Sequence, residues 1–193
     1  MVPERYRAAV AEARRVRRML WPEVRSTHSC LYEAVTLQMV LAARTGLRTM
    51  LQAGTVQWPM CLLEEDDGVR ATHFSYAWDA REAMQHVMAG RLPELHTWLA
   101  FRSAEHPDGV IVDTTAGSWP ERAVQAGHSW TSLAPPDCLW ASGADLQALS
   151  DARGFGILYG ADMDACRCAD AFARHGVYGP VAAYLGIEGE AGG

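Results

Sequence analysis

The sequence predicts an α+β fold in which N-terminal helices precede an antiparallel sheet. Apolar residues recur at helical spacing in the first 45 residues, and strand-like segments separated by turn residues follow them. The chain has 193 residues, of which 49% are hydrophobic and 21% charged. That length and composition allow one sizeable core, so we expect a single domain over 1–193.

Two helices are predicted at the start of the chain. Pro3 suits the first turn of a helix over Pro3–Met19, and Trp21 with the following proline ends it. The second helix, Cys30–Thr45, carries a wide apolar surface and ends before Gly46. Its first turn presents unpaired amides and the positive end of the helix dipole, which lower the pKa of a thiol. A cysteine at this position is therefore a candidate for an activated thiol.

Two hairpins are predicted next, separated by a helix over Asp79–Gly90. The first joins the strands Leu47–Trp58 and Val69–Trp78 through an acidic turn. The second joins Glu94–Phe101 to Gly109–Thr115. The remaining third alternates short elements, with helices at Pro120–Gln125, Ala144–Ala152, Met163–His175 and Tyr178–Leu185, and strands at Asp137–Ala141 and Gly154–Tyr159.

The register of the second hairpin predicts a contact between His96 and Asp113. If residues 102–107 form its loop, Phe101 lies opposite Asp108, and His96 then lies directly opposite Asp113. Opposed residues point to the same face with Cβ atoms about 5 Å apart, which lets a carboxylate hold an imidazole. A one-residue slip would place the two side chains on opposite faces.

Charge and cysteine content exclude several classes of function. A net charge of -6 and a pI near 5.6 argue against binding to nucleic acid or to an anionic membrane, since both need a basic surface. The one basic run, Arg14–Arg18, is read as a solvated helix face rather than a phosphate contact. No apolar window is long enough to span a bilayer, and the N-terminus lacks the pattern of a signal peptide. Five cysteines without a paired framework favour reduced thiols and a cytoplasmic location.

The sequence predicts no cofactor and no metal site. It contains no Gly-rich phosphate loop, no Gly-x-Ser-x-Gly elbow and no His-Glu-x-x-His helix. Cys166 and Cys168 are two apart on a predicted helix, where their side chains diverge, so they are poor joint ligands of a metal ion.

Three patches together predict a Cys30, His96, Asp113 triad. They are Cys30-Leu31-Tyr32-Glu33-Ala34 at the start of a helix, His96-Thr97-Trp98 on a strand, and Val110-Ile111-Val112-Asp113-Thr114-Thr115 on the next strand. A thiol catalyst needs an imidazole to take its proton and a polar group to hold that imidazole's tautomer. The order and context of the three patches resemble the transglutaminase-like branch of the papain-like superfamily, which includes the arylamine N-acetyltransferases.

The resemblance implies a Cys-bearing helix packed on an antiparallel sheet and acyl transfer through a thioester. It assigns the nucleophile to Cys30, the general base to His96 and the orienting acid to Asp113. It implies a catalytic core at 26–117 and leaves the last third of the chain, 118–193, unmatched as an extension of the same domain. The interval between the cysteine and His96 is longer than in many small members. That interval leaves His73, with Asp79 or another carboxylate, as an alternative base. The oxyanion donor stays open between the backbone amide of Cys30 and a side chain between Trp21 and His28.

Seven tryptophans are a high number for this length, and most serve packing. Trp98, Trp78 and Trp119 are the three that we expect to line a substrate groove. The expected substrate is an amide or thioester in a peptide, a protein or a small acyl donor. The alternative from another class is a non-catalytic binding module on the same fold. Hydrolysis and transfer to an amine both stay open, as do the oligomeric state and a role as a viral or toxin-associated protein.

Overall fold

The helices and strands follow the predicted order in a computed structural model, which describes residues 1–24, 29–65, 68–89, 95–153 and 156–187. The helices are α1 (Glu4–Leu20), α2 (Cys30–Thr45), α3 (Ala80–Met88), α4 (Trp119–Gln125), α5 (Gly143–Arg153), α6 (Met163–Gly176) and α7 (Tyr178–Leu185). The strands are β1 (Met50–Glu65), β2 (Gly68–Tyr76), β3 (His96–Phe101), β4 (Val110–Asp113), β5 (Leu139–Ser142) and β6 (Leu158–Ala161). The chain is therefore a mixed α/β protein, as predicted.

The six strands form one antiparallel sheet with the order β2-β1-β3-β4-β5, and β6 pairs with β1. The sheet thus combines strands from the predicted core with strands from the C-terminal third. Residues 66 and 67 of the predicted acidic turn lie outside the described residues. None of the helices in the described ranges is both long and apolar enough to cross a bilayer.

Helices α1 and α2 cover one face of the sheet because their apolar sides match alternate residues of β3 and β4. Leu37 and Leu41 of α2 pack with Leu99, Val110 and Val112 in one buried cluster. Residues of the opposite parity, Trp98 and Ile111 among them, belong to a second cluster that includes Trp58 and Trp119. His96 and Asp113 share that parity, so both lie on the sheet face that α2 does not cover.

The predicted register of the second hairpin is wrong by two residues. Phe101 pairs with Val110 rather than with Asp108, so the loop is longer than the six residues assumed. In this register Asp113 lies across from Trp98, which is two residues from His96 and on the same face of the sheet. A shift of two residues preserves the side of the sheet, because side chains alternate with a period of two. The two side chains therefore meet as diagonal neighbours.

The basic run of α1 is used for internal contacts. Arg14 donates to the backbone carbonyls of Thr114 and Asp137, and Arg15 donates to the hydroxyl of Tyr184. Arg17 is buried and pairs with Glu33. Three of the arginines therefore tie α1 to the rest of the fold.

Gly54 lies where β1 passes from pairing with β3 to pairing with β6. It is opposite His96 in one strand and opposite Ala161 in the other. Its φ is 153°, and a Cβ at this position would stand 2.2 Å from the carbonyl oxygen of Gly160 and 2.9 Å from the amide nitrogen of Asp162. The close approach of three backbones thus requires glycine.

Gly54→Ala is expected to lower the free energy of unfolding by about 3 kcal/mol, because the added methyl group meets backbone atoms that have no room to move. Urea denaturation measures the loss. Gly176→Ala is the matched control, since a Cβ added at Gly176 would meet nothing within 4 Å. Equal stability of the two variants would contradict this account of the strand junction.

Candidate active site

The candidate site begins with Cys30, the first residue of α2. Cys30 is half-buried, and its thiol donates to the carbonyl of Leu95, with a sulfur–oxygen distance of 3.7 Å. Leu95 directly precedes His96, the first residue of β3. The start of the helix and the start of the strand are therefore adjacent, which is the juxtaposition that the sequence predicts.

The imidazole of His96 is fully buried and held by one carboxylate. Its Nε2 lies 2.6 Å from Oδ2 of Asp113. The ring is stacked between Tyr76, at a centroid distance of 4.9 Å, and Trp98, at 6.1 Å, while Trp119 contacts it edge-on at 5.4 Å. These contacts fix the orientation of the ring. Its other nitrogen, Nδ1, is buried and has no hydrogen-bond partner in the described part of the chain.

Asp113 accepts hydrogen bonds on both carboxylate oxygens. Oδ1 accepts from the Thr115 amide at 2.8 Å, the Thr115 hydroxyl at 2.9 Å and the Ala116 amide at 3.1 Å. Oδ2 accepts from the Tyr159 hydroxyl at 2.9 Å, beside its contact with His96. The side chain is 1% exposed, so this set of donors replaces water around a buried charge.

The pKa values of the three groups shift in directions that favour a charged pair. Burial raises the pKa of the Cys30 thiol, but His96 and then Thr97 lower it by more. Burial lowers the pKa of His96, but Asp113 and then Cys30 raise it to about 9. Burial raises the pKa of Asp113, but His96 and then Thr115 bring it below its usual value. Each of the two groups therefore stabilises the charged form of the other: the pKa of Cys30 is lowered and that of His96 is raised.

The other predicted residues fall in different places. Trp98 and Trp119 are 2% and 0% exposed, so they pack around His96 and have almost no surface to offer to a substrate groove. Their burial contradicts the predicted groove-lining role. Trp78 is half-buried beside the start of β3 in a cluster with Leu31 and Leu95, and its role in substrate binding stays a prediction.

The alternative base is not supported. His73 is exposed on β2, where its backbone pairs with Pro59. Asp79 accepts from the amides of Arg81 and Glu82, both at 2.8 Å, and so caps the start of α3. Because His96 holds the contact with a buried carboxylate and His73 does not, the structure favours His96.

Tyr159 and Tyr76 are site residues that the sequence analysis did not identify. Tyr159 comes from β6, in the third of the chain that the resemblance leaves unmatched. It reaches Asp113 because β6 pairs with β1 beyond the start of β3. No local pattern marks this tyrosine as a carboxylate partner. Tyr76 ends β2, and its stacking on His96 depends on the pairing of that strand with β1.

Comparisons with known proteins give no independent assignment. No protein-family model matches the chain, and neither does any curated protein or solved structure. The function proposed below is therefore based on the geometry of these residues.

Proposed function

We propose that this protein is a cysteine-dependent acyl-transfer enzyme of transglutaminase-like type, with Cys30 as nucleophile, His96 as general base and Asp113 as the group that orients the imidazole. One observation carries the proposal. Asp113 contacts Nε2 of His96, and Nδ1 is buried without a hydrogen-bond partner among the described residues, on a ring that lowers the pKa of the Cys30 thiol. A structural histidine in a core normally has both ring nitrogens satisfied.

The reaction follows from the charges of these groups. The Cys30 thiolate attacks a carbonyl carbon, and the electron pair of the C=O bond moves to the oxygen. The amide of Cys30 lies in the first turn of α2, where N–H groups lack intrahelical acceptors, and it is suited to bind that oxyanion. The imidazolium then gives its Nδ1 proton to the leaving amine or thiolate as the C–N or C–S bond breaks. A thioester on Cys30 remains.

The second half of the reaction removes the acyl group and regenerates the free enzyme. Water or an amine attacks the thioester carbonyl while Nδ1 of His96 takes its proton, and the Cys30 thiolate leaves. During both halves Asp113 keeps the proton on Nε2, so Nδ1 is always the nitrogen that exchanges protons with the reactants. Tyr159 and Thr115 hold the carboxylate in place through hydrogen bonds.

Alkylation by iodoacetamide tests the activation of Cys30. We expect its rate to reach half-maximum below about pH 7, against about 8.5 for an ordinary thiol. Cys138 provides an internal control, because burial raises its pKa to about 12. Peptide mapping by mass spectrometry separates the two cysteines. Labelling of Cys30 only above about pH 8 would contradict the proposal.

Acyl transfer itself is tested with p-nitrophenyl acetate. A burst of p-nitrophenol, with the mass of one acetyl group on the peptide that contains Cys30, is the expected result. Cys30→Ser is expected to remove the adduct, and Cys138→Ser to retain it. An activated thiol that forms no acyl adduct with this ester or with peptide thioesters would favour the binding module.

A further inference from the structure

A cavity lies between β2 and α4, and Cys30 is not among the described residues that line it. Its volume is about 610 Å³, within the range of small-molecule sites. The described residues that line it are Met60, Thr72, His73, Phe74, Ser75, Arg122, Ala123, Ala126, His128 and Ser129. The proposed acyl transfer makes no use of this space.

The base of the cavity is apolar and rigid. Met60 and Ala123 are buried together, and Phe74 and Trp130 pack against them. The ring of Phe74 is also stacked on Trp119 at a centroid distance of 5.6 Å. A flat apolar floor of this kind is suited to a planar hydrophobic group.

The described lining contains three side chains of basic type, Arg122, His73 and His128, and no acidic one, although the chain as a whole has a net charge of -6 with histidine counted as neutral. Arg122 is held in place, because it donates to the Tyr76 hydroxyl at 2.7 Å and lies 4.6 Å from the centroid of that ring. The cation is thus oriented before any ligand arrives, which reduces the entropic cost of binding. Hydroxyl groups of Thr72 and Ser75 add hydrogen-bond donors.

We infer that this cavity binds an amphipathic organic anion, in which a carboxylate or a phosphate is attached to a planar apolar body. The anionic group would face Arg122 and the two histidines, and the apolar body would lie on Phe74 and Met60. This inference is independent of the proposed acyl transfer.

Titration with benzoate and phenyl phosphate tests the inference, and calorimetry near pH 6, where an ordinary imidazole is largely protonated, supplies the readout. We expect saturable 1:1 binding of at least one of the two, and the stronger of them identifies the anionic group. Benzyl alcohol lacks the charge and inorganic phosphate lacks the apolar body, so both are expected to bind at least about tenfold more weakly.

Variants at exposed lining positions locate the site. The double substitution His73→Gln and His128→Gln is expected to weaken binding about tenfold or more, and Ala126→Glu, which places a carboxylate in the lining, to abolish it. His175→Gln, at an exposed position on α6, is the matched control and is expected to change nothing. Absence of saturable binding, or binding that the lining variants leave unchanged, overturns the inference. Because Cys30→Ser leaves this cavity intact, the same titration on that variant separates this outcome from failure of the proposed catalysis.

Discussion

Asp113→Asn is expected to remove the low-pH reactivity of Cys30 and to move the half-maximum of its alkylation to about pH 8.5, the value of an ordinary thiol. The unmodified protein is expected to react at a nearly constant rate from about pH 7 upward. The imidazolium that stabilises the thiolate is lost only as the pH passes the His96 pKa of about 9. The rate of Cys30 alkylation therefore differs most between the variant and the parent from about pH 6 to 8.

The reason lies in the hydrogen bonds around the carboxylate. Donors reach both oxygens, with Thr115 and Ala116 on Oδ1 and with His96 and Tyr159 on Oδ2. An amide has one acceptor oxygen and one NH₂ group, so in either orientation the NH₂ group faces donors. If it faces His96, the imidazole must accept at Nε2 and carry its proton on Nδ1. That tautomer has no lone pair for the thiol proton.

The same crowding of donors makes the substitution destabilising, by about 2–4 kcal/mol. Near-UV circular dichroism and a urea midpoint establish that the variant is folded before its labelling is measured. Asp108→Asn, in the exposed loop between β3 and β4, is the matched control and is expected to keep the labelling profile of the parent. If Asp113→Asn labels at low pH like the parent, Asp113 has no part in activating the thiol.

The sequence predicts those features of the site that depend on local pattern. Helix α2 has the predicted bounds, because Gly46 with its positive φ of 71° ends the apolar periodicity that begins at Cys30. Alternation along β3 and β4 identifies the shared face of His96 and Asp113. The loop between these strands carries a turn signal, Pro107-Asp108-Gly109, but that signal does not fix the residue at which pairing resumes, so the register was not predictable.

The features that the sequence does not predict arise from contacts between distant parts of the chain. Tyr159 reaches Asp113 only because β1 exchanges one partner strand for another at Gly54. Trp98 and Trp119 lie against His96 because residues from β1, β2 and β5 pack with them in one buried cluster. An aromatic residue on a strand has the same sequence signature in a core as beside a groove, so pattern alone does not separate the two roles.

Arg17→Met is expected to lower the free energy of unfolding by about 3–5 kcal/mol, because it leaves the carboxylate of Glu33 buried without its cationic partner. The two side chains are about nine-tenths buried, and Nη2 of Arg17 lies 3.3 Å from Oε1 of Glu33. The same oxygen accepts from the Ser29 hydroxyl at 3.1 Å, and Nη1 of Arg17 donates to the Val24 carbonyl at 2.8 Å. Urea denaturation measures the loss.

A double substitution separates the loss of the pair from the creation of an unpaired charge. Adding Glu33→Gln to Arg17→Met removes the buried charge and keeps an oxygen for Ser29, so it is expected to restore much of the lost stability. Arg15→Met, at an exposed position of the same helix whose guanidinium contacts Tyr184, is the matched control and is expected to have little effect. If the single and double variants are equally unstable, the cost comes from lost packing rather than from charge.

The ion pair also bears on the chemistry, because Ser29 and Glu33 lie on either side of Cys30 in the first turn of α2. Loosening that turn weakens the alignment of amides that favours a thiolate, so Arg17→Met is expected to raise the pH of half-maximal Cys30 alkylation. The double variant, with the first turn held again through Ser29, is expected to recover part of the shift. If the pH of half-maximal Cys30 alkylation rises in Arg17→Met and partly returns in the double variant, as the stability does, the buried pair contributes to the activation of Cys30. An unchanged profile would assign the activation of Cys30 to His96 alone.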